Sequence, residues 1–292
     1  MVFSQTTALI GLILNLAIAI YAFKREWLDA GGTVAALTVG FLVFSFGGWT
    51  WLALLVFFFA SSNVLGSKWV KEKRVPRLEF AKEGVRDFWQ VFANGGFAAL
   101  LAVLYNLYQS PALFAAFLGV IATVTADTWA TEIGVLERKP RLVTTLASVR
   151  RGTSGAVSKL GLATTFAAGF LIALLIYALD WLGAAVGGAA GVGVSAAFGA
   201  PARQFVGGFG LVLLTAFVAV VGSLVDSFFG ATIQGVYYCP KCRKETEKRL
   251  HKCGTKTKLK RGFAFLDNDA VNLLASLVGA GVAFAAYSLF FP

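Results

Sequence analysis

Histidine is nearly absent from this sequence. Its single copy, His251, lies among the only three cysteines. With that residue committed to the cluster, no histidine remains as a general base, which excludes serine or cysteine hydrolysis of the usual kind. Acids are scarce, 15 against 26 lysines and arginines, for a formal net charge of +11. Period-two runs of about ten residues are missing, which excludes a transmembrane barrel. The first 23 residues lack a basic leader and a small-residue cleavage site, so they read as a first helix and not as a signal peptide. The G-x-x-x-x-G-K-[ST] spacing of a Walker loop is missing too.

What fills the chain is apolar. Hydrophobic residues make up 58% of the 292, and mean hydropathy is +0.74. That is too apolar for a soluble domain, and several segments reach the roughly 20 residues that cross a bilayer. The fold class expected is all-α, a polytopic integral membrane bundle forming one transmembrane domain over residues 1–292. About eight apolar segments are expected, at 6–23, 31–46, 49–65, 91–108, 112–130, 160–182, 205–233 and 270–291. Only Gly47-Gly48 separates the second from the third, which allows a tight hairpin or one broken unit.

Charge placement gives the topology. With the N-terminus outside and the segments alternating, the inner connections are 24–30, 66–90, 131–159 and 235–269, and they hold 25 of the 26 lysines and arginines. Only Arg203 falls elsewhere. Such bias marks the cytoplasmic side and puts both termini outside. In a soluble protein +11 would suggest nucleic acid. Here the anionic partners expected are lipid headgroups of the bilayer and phosphorylated substrates, and no nucleic acid. A homodimer stays open.

Residues 66–90 mix seven cations with Glu72, Glu79, Glu83 and Asp87. The later half reads as an interfacial helix with Phe80, Val85, Phe88 and Trp89 toward lipid, or as a solvated segment. Lys68 follows Gly66-Ser67 at the inner end of the third segment, where a snorkelling lysine would look the same.

Ionisable groups within membrane segments point to a site by default. Asp127 and Asp226 lie near the inner ends of the fifth and seventh segments, and Glu132 follows Asp127 by five residues. At about 100° per residue that spacing puts the two on different faces of a straight helix. Either the helix breaks near Gly134 or only one of them binds a metal directly. In the seventh segment Gly222, Asp226, Gly230 and Gln234 form one stripe, which suits a close approach by a helix or a ligand. After Arg138, Lys139, Arg141, Arg150 and Arg151 comes Gly152-Thr153-Ser154-Gly155, then Lys159 at the start of the sixth segment. That run can form a concave array of backbone N–H groups for phosphate, or an ordinary turn with Ser154 as N-cap. Asp267, Asn268 and Asp269 precede the eighth segment, where one caps the helix and the others leave room for metal or ribose contacts, with Asn272 a turn later. Asn94-Gly95-Gly96 opens the fourth segment in a similar way.

The insert at 236–262 contains Cys239, Cys242, His251 and Cys253 in a C-x2-C-x8-H-x-C pattern. Cys3His is a structural Zn²⁺ set, although the H-x-C ending is tight for both residues to bind. A coincidental group of reduced thiols is the alternative. A phosphate monoester needs no base to act as nucleophile, because its second pKa of about 6 leaves it mostly ionised. Positioning and charge neutralisation by Mg²⁺ and Lys/Arg then suffice for phosphoryl transfer.

The segments ADTWATEIG, KPRLVTT, RRGTSGAVSKLG, GSLVDSFFGA and LDNDAVNLLAS, in this order, closely resemble the membrane family that includes plant and cyanobacterial phytyl-phosphate kinase and animal transmembrane protein nineteen. More distantly the chain is similar to CTP-dependent phytol and dolichol kinases and to CDP-diacylglycerol synthases. The resemblance runs from about Ser61 to Ser276. It implies phosphorylation of an isoprenoid monophosphate to its diphosphate by CTP or another nucleoside triphosphate with Mg²⁺. On this reading Asp127, Glu132 and Asp226 hold Mg²⁺. Lys68, Arg141, Arg151 and Lys159 clamp phosphates, and Gly152, Thr153, Ser154 and Gly155 cradle the nucleotide, with Asn94, Asn268 and Asp269 in support. Two alternatives stay open: a cytidylyltransferase releasing pyrophosphate and leaving a CDP-lipid, and a lipid or small-molecule transporter. The clustering of polar groups at one membrane face argues against the transporter.

Overall fold

The computed structural model describes residues 5–66, 85–185 and 209–290. Among them are eight helices: α1 (Gln5–Lys24), α2 (Ala30–Gly47), α3 (Trp49–Leu65), α4 (Phe88–Tyr108), α5 (Pro111–Gly134), α6 (Lys159–Ala185), α7 (Phe209–Thr232) and α8 (Asn268–Phe290). Each corresponds to an apolar segment expected from the sequence. Six of them, α2 and α4 to α8, are long and apolar enough to cross a membrane. The 24 residues of α5 extend about 36 Å. The outer surface of the bundle suits lipid, because Ile13, Phe166, Phe170, Leu213, Phe217 and Phe284 are all exposed on it. Every backbone group inside a helix is paired within it, so such a surface can sit in hydrocarbon.

The bundle is built around α5, which packs on α3, α4, α6, α7 and α8 and is the most buried span. Its start is set by a short connection. Gln109 takes a left-handed conformation at φ 51° and closes α4 through its N–H to Tyr105 O at 2.7 Å. Pro111, which lacks an N–H, then opens α5. Trp51 of α3 fills the space between Tyr105, Phe114 and Phe117, with ring centroids 4.3–5.3 Å away. The break between α2 and α3 is one residue, Gly48 at φ 90°.

Where α5, α7 and α8 meet, glycine is required. A Cβ at Gly222 or at Gly279 would meet Thr123 Oγ1 of α5, so these positions admit the three helices only as hydrogen-bearing backbone. The glycine stripe on α7 is thus a helix-packing face in its upper part. Lower down it serves a loop, as described below.

Two small sheets lie outside the helices. β1 (Arg141–Leu142) pairs antiparallel with β2 (Ala156–Val157) and folds the connection between α5 and α6 back on itself. Between α7 and α8 lies a three-stranded antiparallel sheet of β3 (Val236–Cys239), β4 (Lys244–Thr246) and β5 (Lys258–Arg261), in the order β4-β3-β5. Among the described residues, contacts join the cation-bearing connections in pairs and tie one of them back on itself. Leu28 bridges Arg86, Gly134 O accepts from Ser158 Oγ, and Ser154 bonds Gln234.

Several sequence expectations are corrected. Helix α4 starts at Phe88, capped by Asp87, whose carboxylate accepts from Gln90 N at 2.9 Å. Asn94 therefore lies inside α4 and does not open it. Ser154 does not cap α6. Ser158 does, accepting from Gly161 N at 3.0 Å. The expected interfacial stretch lies mostly at 67–84, and Lys68 with it, as does the connection at 186–208 with Arg203; these lie outside the described residues. Phe88 and Trp89 form the exposed first turn of α4.

Candidate functional site

Asp127 on α5 and Asp226 on α7 come together. Their carboxyl groups are within hydrogen-bonding reach, and both line a cavity of about 140 Å³ at the cation-rich end of the bundle. Two half-buried carboxyls facing each other form an oxygen-rich spot suited to a hard divalent ion or a shared proton. On the α8 side, the Asn272 amide in its donating orientation stands 3.0 Å from Asp226 Oδ2 and 3.3 Å from Asn268 O. Asn268 itself lines the cavity. Asp267 caps α8, its Oδ1 accepting from Ala270 N at 3.0 Å. Asp269 is buried but does not line the cavity.

The glycine-rich run forms one wall. Arg151, Gly152, Thr153, Ser154 and Gly155 all line the cavity. Gly152 and Gly155 stand at φ 75° and φ 81°, in the left-handed region that favours glycine. A Cβ on Gly155 would also strike Ala231 of α7 at 2.5 Å. The loop is pinned to α7: Ser154 Oγ donates to Gly230 O at 3.0 Å and to Gln234 Oε1 at 2.8 Å. A tight glycine turn and Arg151 beside two acids give a surface that suits a phosphate bridged by a cation.

Other expected residues lie elsewhere. Helix α5 runs unbroken through Gly134, so Glu132 faces away from Asp127. Its carboxylate lies 3.1 Å from where a Cβ on Gly66 would sit, and it interacts with the Arg86 guanidinium. Burial pulls Arg86 down to about 10, against the opposing pull of Glu132. Arg86 also stacks over Phe58 and Phe59, at 5.7 and 5.4 Å from the ring centroids. Asn94 lines a second, apolar cavity of about 70 Å³ together with Arg86, Asn15 and Val39. Arg141 and Lys159 are exposed and do not line the acid-bearing cavity, and Arg141 Nη1 donates to Leu146 O at 3.0 Å.

Two contributors carry no strong signal in the sequence. Glu247 lines the cavity, close enough to Asp226 for their charges to interact, and accepts from Gln234 Nε2 at 2.9 Å. Arg261 donates to Gly230 O at 2.7 Å and to Ser154 O at 3.0 Å. The one hint for Glu247 is that it is one of two acids, with Glu245, lying between metal-ligand residues in a largely basic insert. Nothing distinguishes Arg261 from the other cations around it.

The third feature is the cysteine cluster. The ligand atoms of Cys239, Cys242, His251 and Cys253 all lie within 4.8 Å of one another. Cys239 Sγ is 3.6 Å from Cys253 Sγ, and His251 Nδ1 is 3.1 Å from Cys253 Sγ, so the short H-x-C spacing does bring both side chains in. This cluster can hold a metal ion.

The family described as integral membrane protein DUF92 matches residues 13–280. Protein PGR of Arabidopsis thaliana is 32% identical over 94% of this chain and 94% of its own length. An uncharacterised membrane protein of Methanocaldococcus jannaschii is 26% identical over 92% of this chain and 90% of its own. One from Synechocystis is 31% identical over 75% and 76%. No solved structure matches. The chain therefore belongs to the integral membrane protein DUF92 family, in keeping with the phytyl-phosphate kinase-like resemblance of its motifs.

Proposed function

We propose that this protein is a membrane phosphotransferase that converts an isoprenoid monophosphate to its diphosphate with a nucleoside triphosphate, CTP among the candidates. The observation that carries this reading is the pairing of Asp127 with Asp226 in a cavity walled by Gly152–Gly155 and Arg151. The two carboxyls fit Mg²⁺, which binds through one or two carboxylates together with substrate phosphates. Bound there, the ion would neutralise phosphate charge.

The chain's own groups do the rest. Loop N–H groups and Arg151 orient the phosphates, and Asn268 with Asn272 fixes the Asp226 carboxyl. An oxygen of the ionised monophosphate attacks the terminal phosphorus of the nucleotide. A new P–O–P bond forms, the bond to the nucleoside diphosphate breaks, and no proton need be removed. The prenyl tail stays in lipid along the apolar helix faces. The charge bias further supports a cytoplasmic cavity with both termini outside.

The test incubates purified protein with Mg²⁺, labelled CTP, ATP, GTP or UTP, and phytyl, farnesyl or geranylgeranyl phosphate. A prenyl diphosphate and a nucleoside diphosphate are expected. Pyrophosphate with a CDP-lipid would instead identify a cytidylyltransferase. No product from any pair, with flux in proteoliposomes lacking nucleotide, would identify a transporter.

A further inference from the structure

The insert that carries the cysteines also supplies a wall of the acid-bearing cavity. Cys239 ends β3, Glu247 follows β4, and Arg261 ends β5, so one small sheet joins the cluster to the cavity. Arg261 and Glu247 link this region to the bundle, and Gln234 carries the Glu247 link on to Ser154. Arg261 reaches Gly230 O and Ser154 O, Gln234 accepts from Ser154, and Gln234 donates to Glu247. These links reach the glycine-rich run, the last turn of α7 and the residues just after it.

A three-stranded sheet with strands of four, three and four residues has little core of its own. Such small pieces are marginal in water unless stapled. The cluster is built like a staple. Four ligands at about 2.0–2.3 Å from one tetrahedral ion stand roughly 3.5–3.8 Å apart. The Cys239–Cys253 separation of 3.6 Å fits that edge. Cys242 N–H points at Cys239 Sγ, 3.5 Å away, the backbone donation that steadies a thiolate ligand. Cys239 and His251 are buried. Three thiolates around a divalent ion leave one negative charge, which the surrounding lysines and arginines offset.

We infer that Cys239, Cys242, His251 and Cys253 bind Zn²⁺, and that this ion holds the sheet which seats Gln234, Glu247 and Arg261 against the Ser154 loop, making the cavity conditional on metal loading. Gln234 and Arg261 are positioning residues: they hold the loop and do not react. All four ligand positions are protein groups, so the ion is structural and leaves no open coordination site for chemistry. The metal's role is the same whichever reaction the cavity runs.

The test reads metal and local order, not turnover. Full-length protein purified in detergent, without chelator, is assayed for zinc by elemental mass spectrometry and for amide hydrogen exchange over residues 150–158. About one zinc per chain is expected. Removing it from the wild type with a membrane-compatible chelator should speed exchange over that segment at least tenfold, and zinc should restore protection. Cys242→Ser should lose the metal. Arg261→Met should keep the zinc yet show the faster exchange, which separates the sheet's contact from the metal itself. If C242S does not fold, the chelated and reloaded wild type decides. Absence of zinc, or a disulfide between Cys239 and Cys253, overturns the metal site. Zinc present with exchange unchanged on its removal overturns the link to the cavity.

Discussion

Asp127 meets Asp226 because α5 and α7 approach each other at a glycine. Gly222 lies one turn before Asp226 and receives Thr123, which lies one turn before Asp127. The close contact of small groups and the pairing of acids are therefore one arrangement repeated at a four-residue interval on both helices. A larger side chain at the first level would separate the carboxyls at the second.

Asp127→Asn and Asp226→Asn should each lower prenyl-phosphate phosphorylation at least a hundredfold, on the order of 3 kcal/mol of transition-state stabilisation. Rates with saturating Mg²⁺ and nucleotide check this.

Glu132→Gln should cost far less activity than D127N, by at least tenfold in rate, because Glu132 faces Gly66 and Arg86 from the other side of α5. It should still lower thermal stability, since it leaves the partly buried Arg86 without its opposing charge. A loss matching that of D127N would restore Glu132 to the acid site.

Gly222→Val should destabilise the bundle by about 1–3 kcal/mol, the usual cost of overpacking, because its side chain would meet Thr123. Thr123→Ala, by removing that hydroxyl and methyl, should recover part of the loss. Thermal unfolding of the two single variants and the double variant measures the coupling. Simple additivity would show that the contact is not the cause.

Gly155→Ala should raise KM for nucleotide more than it lowers kcat. The substitution is strained at φ 81° and pushes the loop off Ala231. Steady-state kinetics distinguishes this outcome from a uniform loss, which would indicate general unfolding.

Much of this protein was open to reading along the chain. Apolar length foretold the six candidate spans among the described residues, because a bilayer admits little else. Charge bias picked out the connections at 131–159 and 235–269 that supply walls of the acid-bearing cavity. The motif at Asp127, the stripe from Gly222 to Gln234 and the C-x2-C pattern each depend on spacing within one segment, and spacing is what a sequence displays. The limit shows in Glu132, a near neighbour of Asp127 in the chain, and in Asn94, which reads as a helix-opening polar group. Helix α5 carries Glu132 to its far side, and Asn94 lies inside α4 on another cavity. Conversely, Glu247 and Arg261 reach the site only because a sheet folds back from the end of α7. Helical phase and long-range strand pairing decide which groups share a cavity, and both depend on contacts between segments that composition and local spacing do not encode.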